Sequence, residues 1–271
     1  SRKPLEKAFA FGGTNTVGVE SNDAHRNMRM SFGRVVGNIP ARKHPGRRGA
    51  HMRAYKEEFL DLAIEVGALQ FGEFTLKSGR VSPYFFNAGL FNTGYAVARL
   101  SRCYGAAVAD IDVEFDMMIG PAYKGIPLVT LAAAALAANE DRDYPFCFNR
   151  KEAKDHGEGG NIIGAPLKGN VLILDDVITA GTAIRESIEI IRNAGANPVA
   201  CFVAMDREEV GSKERISAVQ QAQRDHGISV FSLVTLSDLI EHLEERDEFE
   251  AQLPSIRAYR NRYGTHFENY G

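Results

Sequence analysis

Residues 171–183 read Val-Leu-Ile-Leu-Asp-Asp-Val-Ile-Thr-Ala-Gly-Thr-Ala, and no other stretch limits the fold as strongly. Four apolar residues run without a polar interruption into two adjacent carboxylates, Asp175 and Asp176. A strand apolar on both faces belongs inside a parallel sheet covered by helices on each side. In such sheets ligands bind outside the carboxyl ends of the strands, where the two acids stand. The small residues of the turn at 179–182 let backbone N–H groups converge, and helical periodicity follows. Converging N–H groups at a helix start hold phosphate. Carboxylates beside them suit sugar hydroxyls or a metal-bound polyphosphate.

Rival readings of the same string lack their partner elements. A Walker-type ATPase would need a Gly-x-x-x-x-Gly-Lys-[Ser/Thr] loop, and no Gly-Lys-Ser or Gly-Lys-Thr occurs in the chain. An aspartyl-nucleophile phosphohydrolase wants Asp-x-Asp, whereas Asp175 and Asp176 are adjacent. A structural strand–turn–helix with solvated acids stays open at this point.

Charge and cysteine usage narrow the class further. The net charge of −3 conceals ten Lys/Arg against three Asp/Glu within residues 1–51, so the rest of the chain is acidic. A basic arm on an acidic body can bind nucleic acid. This arm, however, shows no sustained helical or strand period and is broken by Gly12, Gly13, Pro40, Pro45 and Gly46. Residues 1–51 are therefore expected to be a non-native or unstructured leader outside the fold, with a transit peptide and a nucleic-acid arm as alternatives. The longest apolar stretch, 126–138, is too short and too alanine-rich to span a bilayer. Cys103, Cys147 and Cys201 have no metal-type spacing, which suits reduced thiols in the cytoplasm.

From Met52 onward helical and strand patterns alternate. Phe59, Leu60, Ala63, Ile64 and Ala68 predict a helix ending near Gly67. Residues 71–76 and 81–87 read as two strands joined through Lys77-Ser78-Gly79-Arg80. Further helices are expected at 95–109, at 126–138 with Pro127 in the first turn, up to about Ala194 with Gly195 as its cap, at 215–225, and to Glu245 with Ser237 as its cap. Strands are expected at 115–119, 145–148, 199–204 and 228–234. The alternation predicts an α/β fold with a mainly parallel sheet flanked by helices.

Four motifs together resemble one family. They are the 171–183 string, residues 71–94 (Phe-Gly-Glu-Phe-Thr-Leu-Lys-Ser-Gly-Arg through Phe-Asn-Thr-Gly), Ile119-Gly-Pro-Ala-Tyr-Lys-Gly125, and Phe148-Asn-Arg-Lys-Glu-Ala-Lys-Asp-His-Gly-Glu-Gly-Gly160. The first is similar to the phosphoribosyl-pyrophosphate (PRPP) motif of type I phosphoribosyltransferases. The set, from Met52 to about Tyr263, resembles orotate phosphoribosyltransferases of the enterobacterial type. The resemblance implies the type I phosphoribosyltransferase fold, with a small N-terminal hood from about 52–95 plus C-terminal elements and a core at about 96–235, in a domain spanning 52–271.

The same resemblance implies roles. PRPP would be bound by Lys77, Tyr123, Lys124, Arg150, Lys151, Lys154, His156, Asp175, Asp176 and the run Val177, Ile178, Thr179, Ala180, Gly181, Thr182 and Ala183. Orotate would meet Phe85, Phe86, Thr179 and Arg207. Phe85 and Phe86 are neighbours on a strand and point to opposite faces, so backbone groups of this segment are expected to serve the base. Lys154, His156, Lys124, Asp175 and Asp176 would carry the chemistry, the two acids orienting ribose hydroxyls and not acting as nucleophiles. Mg²⁺ is implied as cofactor, held mainly by PRPP and water with no direct protein ligand assigned. The glycines at 157, 159 and 160 suggest a lid, which in the family enters the neighbouring subunit's site, implying a homodimer with shared sites. No nucleic acid and no membrane partner is expected. A transferase for another base and a regulatory protein that lost catalysis are the alternatives.

Overall fold

The computed structural model describes residues 52–151, 161–178, 182–211 and 216–265, with Thr182 placed by its backbone alone. Residues 1–51 therefore lie outside the described residues, and so do Lys154, His156, Thr179, Ala180, Gly181 and the 152–160 stretch. In chain order the elements are α1 (Ala54–Glu65), β1 (Leu69–Thr75), β2 (Val81–Phe86), α2 (Gly94–Ala109), β3 (Met117–Gly120), α3 (Gly125–Asn139), β4 (Phe146–Asn149) and β5 (Ile162–Gly164). There follow β6 (Asn170–Asp175), α4 (Thr182–Asn193), β7 (Asn197–Asp206), α5 (Ala218–His226), β8 (Ser229–Thr235), α6 (Leu236–Glu244) and α7 (Leu253–Tyr263).

Six strands form the central sheet in the order β5-β4-β3-β6-β7-β8. All neighbours pair in parallel except β4 with β5. Side chains alternate between two cores, as the two-residue strand period requires. Met118, Leu172, Leu174, Phe202 and Leu233 pack with α2, α3 and α6. Met117, Ile119, Val171, Ile173, Cys201 and Val203 meet Ile184, Ile188 and Ile191 of α4 and Ala222 of α5. The apolar run of β6 is thus buried from both sides, as its composition predicts.

β1 and β2 form a separate antiparallel hairpin with Leu69 opposite Phe86 and Thr75 opposite Val81. It packs with α1 and α7 through Phe59, Phe86, Phe91, Tyr84 and Tyr259. This is the small N-terminal layer that the sequence places near 52–95.

Several expectations need correction. The cap of α6 is Thr235, whose side chain accepts from the Asp238 N–H in a reciprocal capping box; Ser237 instead lies inside the first turn. The helix expected from 215 begins at Ala218, because Ser217 and Gln220 form the capping box there. Phe115 is buried before β3 starts, with its ring 4.4 Å from that of Tyr144. The edge strand β5 and the last helix α7 were not foreseen. A three-residue strand is too short to show a period, and α7 is polar over most of its length with only Ile256 and Tyr259 buried.

Candidate active site

Strand order fixes where a ligand fits. β3 leads through α3 to β4 on one side, while β6 pairs with β3 on the other. The chain direction of winding reverses between β3 and β6, and the crevice beyond their carboxyl ends is the switch point. After β3, residues 121–124 turn tightly into α3. A Cβ on Gly125 would stand 2.5 Å from Pro121 Cδ and 2.8 Å from the Leu174 carbonyl oxygen, so only glycine lets this turn approach β6 so closely. Asn149, at the end of β4, accepts the Ala122 N–H on its Oδ1 at 2.8 Å and holds the turn from the other side.

Lys124 spans the crevice: its Nζ donates to Asp176 Oδ2 at 2.5 Å. The lysine side chain is 56% exposed while that of Asp176 is 9% exposed, so a solvated cation reaches onto a buried acid. Asp175 is also buried, and its Oδ1 accepts the Asp176 N–H at 2.9 Å. Burial pushes the Asp175 carboxyl up to about 6, and the neighbouring Asp176 charge adds to the rise. Val177 and Ile178 continue from β6 and are half-buried, while Ala183 is exposed in the first turn of α4. Beside this pair, Lys151 places its ammonium 5.1 Å from the centroid of the exposed Tyr123 ring. The Arg150 N–H donates to the Asn161 carbonyl at 2.7 Å, which closes the base of the 152–160 stretch.

The end of β7 builds a second cluster. The Arg207 guanidinium lies 4.3 Å over the Tyr84 ring. Its Nε donates to Glu209 Oε1 at 2.6 Å and its Nη2 to Ser82 Oγ at 3.0 Å. Ser82 spends its own proton on the Tyr84 carbonyl at 2.7 Å, which leaves its oxygen free to accept. The hairpin is thereby tied to the carboxyl edge of the sheet. Phe86 packs into the core against Phe59 and Phe91, whereas Phe85 turns to the other face and stacks on Phe74 at 5.5 Å. The Asn87 N–H donates to the Ala68 carbonyl, so by alternation the intervening Phe86 turns its N–H and C=O to the open edge of β2. Lys77 sits exposed in the hairpin turn.

The structure thus brings Tyr123, Lys124, Lys151, Asp175 and Asp176 together at one edge and joins Arg207 to the Phe85–Phe86 strand. Asn149, Ser82 and Glu209 were missed. Each takes a partner from far along the chain: Ala122 for Asn149, Arg207 for Ser82 and Arg80 for Glu209. Among the described residues no group of three or more His, Cys, Asp or Glu is arranged to hold a metal ion, and no helix is long and apolar enough to cross a membrane.

Known proteins are similar to this chain in sequence and in fold. Residues 96–238 match the phosphoribosyl transferase domain family. The chain is 57% identical over 213 residues to the orotate phosphoribosyltransferase of Yersinia enterocolitica, covering 79% of this chain and 100% of that protein. It is 58% identical over 213 residues to that of Vibrio vulnificus, with coverage of 79% and 100%. Among solved structures, the orotate phosphoribosyltransferase of Francisella tularensis matches with a TM-score of 0.69 at 40% identity, over 76% of this chain and 98% of that one. That of Aeropyrum pernix matches with a TM-score of 0.55 at 26% identity, over 69% and 98%.

Proposed function

The chain belongs to the orotate phosphoribosyltransferases, within the phosphoribosyl transferase domain family, and on that premise we propose how its residues divide the work. The reaction joins a ring nitrogen of orotate to the anomeric carbon of PRPP, releasing pyrophosphate and giving orotidine 5'-monophosphate for pyrimidine synthesis. PRPP occupies the crevice over β3 and β6, and orotate lies against the open edge of β2 with its carboxylate toward Arg207. The single observation that carries this reading is the Lys124–Asp176 pair at the switch point, since it sets an ammonium for a diphosphate beside acids for a ribose.

We assign the 5-phosphate to residues 179–182 and the start of α4, where the helix dipole favours an anion. Asp175 and Asp176 accept from the ribose hydroxyls. Lys124, Lys151, Arg150 and Lys77 gather around the diphosphate, joined by Lys154 and His156 when the 152–160 stretch closes over it. Positive charge held there stabilises the negative charge that grows on the leaving group, and closure keeps out water that would hydrolyse PRPP. Orotate is held by backbone groups of Phe86, by Thr179 and by Arg207, whereas the backbone of Phe85 faces Gln70 of β1.

Two carboxylates, one of them already engaged by Lys124, fit a Mg²⁺ that takes its ligands mainly from substrate oxygens and waters. When bound, the ion neutralises diphosphate charge. We assign the lid to the partner subunit's site in a homodimer, and the enzyme to the cytoplasm, where its buried free thiols Cys103, Cys147 and Cys201 stay reduced.

The test is orotate consumption with PRPP and Mg²⁺, repeated with uracil, hypoxanthine and adenine as competing acceptors. Consumption of orotate alone is expected. Faster turnover of a base without a carboxylate would sink the assignment of Arg207 and of the substrate with it.

A further inference from the structure

Residues 207–209, Arg-Glu-Glu, are three consecutive charges, and the fold sends their side chains to different tasks. Glu208 has a positive φ of 51° and turns its buried carboxylate to α6. Its Oε2 accepts the Ser237 N–H at 2.8 Å and the Ser237 hydroxyl at 2.7 Å, so its work is to fix the helix start. Glu209 turns instead toward the hairpin and takes two guanidinium groups. Its Oε1 accepts from Arg207 Nε at 2.6 Å, and its Oε2 lies 3.4 Å from Arg80 Nη1. Arg80 is anchored in turn, since its Nη2 donates to the Val210 carbonyl at 2.8 Å and its guanidinium lies 4.8 Å over the Tyr263 ring.

We propose that Glu209 is a positioning residue for base selection: it holds Arg207 in the pose that receives the carboxylate of the incoming base. The proposal rests on the assignment of Arg207 to orotate made above. An arginine side chain free to rotate loses conformational freedom when it binds, and that loss weakens the complex. Here the Tyr84 face, the Glu209 carboxylate and the Ser82 hydroxyl settle the orientation beforehand. Nε and one Nη2 hydrogen are used in these contacts, and the Tyr259 hydroxyl also lies against the guanidinium; a guanidinium offers five N–H donors, so a two-pronged pair with a carboxylate can still form.

The opposite expectation is that Glu209 competes for Arg207, and kinetics separate the two. The full chain is compared with Glu209→Ala, Glu209→Gln and Arg207→Ala, with thermal midpoints recorded for each. Glu209→Ala is expected to raise KM for orotate about tenfold, the scale of a charge-assisted hydrogen bond, and to leave kcat and KM for PRPP within about twofold. Glu209→Gln keeps an acceptor for Nε and is expected to raise KM for orotate only about threefold. Uracil, which lacks the carboxylate, should inhibit parent and variants equally. An unchanged or lowered KM for orotate in Glu209→Ala overturns the proposal, and so does an equal rise in both KM values. If the alanine variant does not fold, Glu209→Gln decides by the same two ratios. Arg207→Ala tells the two failures apart. Equal effects on both substrates there refute the reading of Arg207 itself, whereas an orotate-specific loss with silent Glu209 variants refutes only the role of Glu209.

Discussion

Over the junction of β3 and β6, cations reach the acids from solvent, whereas at the end of β7 they are fixed in the protein before any substrate arrives. Lys124 is 56% exposed at its side chain, and Lys151 is exposed beside an exposed tyrosine ring. Arg80, Arg207 and Glu209 are each less than a fifth exposed at their side chains, at 19%, 18% and 13%. The difference fits the division of labour proposed above for the two halves of the reaction. A diphosphate gains charge as it departs and then leaves the site, so long, solvated side chains can follow it. A base must be told from its analogues by geometry, and geometry requires side chains whose positions are settled in advance.

The largest expected effect tests the solvated half. Lys154→Ala should lower turnover by on the order of 10²–10³ with the fold intact, if this lysine stabilises the departing diphosphate. Suppose it acts upon the partner's crevice. Mixing the inactive Lys154→Ala protein with an inactive Asp176→Asn variant should then restore roughly a quarter of parental activity, since about half of the exchanged dimers carry one site assembled from two intact halves. Free exchange of subunits with no recovery would place the lid over its own subunit's site.

Arg207→Ala tests the fixed half. Losing a charge-assisted pair should weaken orotate by roughly 1.5–3 kcal/mol with little change for PRPP, read as the ratio of the two KM values. A comparable loss for both substrates would erase the distinction between the halves.

Asp175 gives a test that runs through pH. Its carboxyl lies at about 6 in the folded chain against an ordinary value of 3.8, because burial disfavours the charge. The native state therefore binds more protons than the unfolded chain between those values, and stability falls as pH rises from about 4 to about 6. Asp175→Asn removes that penalty, so it should stabilise the fold by up to about 3 kcal/mol at pH 8 and by far less at pH 4, while weakening PRPP. Equal stabilisation at both pH values, measured by urea unfolding, would show that the buried charge is not the cause. The smallest effect is expected from deleting residues 1–51, since that segment shows no sustained helical or strand period and so offers little core. Thermal midpoint should hold, and turnover should stay within a factor of ~2.

The strand ends over β3 and β6 were largely legible in the sequence. Asp175, Asp176, Tyr123 and Lys124 belong to runs that combine a strand, a turn and a helix start within a few residues, and such local order leaves a pattern. The base half was legible only at Arg207 and at the two phenylalanines, whose opposite orientations follow from strand geometry alone. Ser82 lies 125 residues from the guanidinium it accepts, and Glu209 takes its partner Arg80 from far along the chain.

The sequence by itself determined the parallel sheet and the buried strand that ends in two acids, because periodicity acts over short range. Tertiary structure alone decided that Asn149 secures the Ala122 turn, that Glu208 caps a helix while Glu209 pairs with two arginines, and that Thr235 caps α6 in place of Ser237. Each of those outcomes depends on which hydrogen-bonding partner the fold brings within about 3 Å, and distant partners leave no periodic trace along the chain.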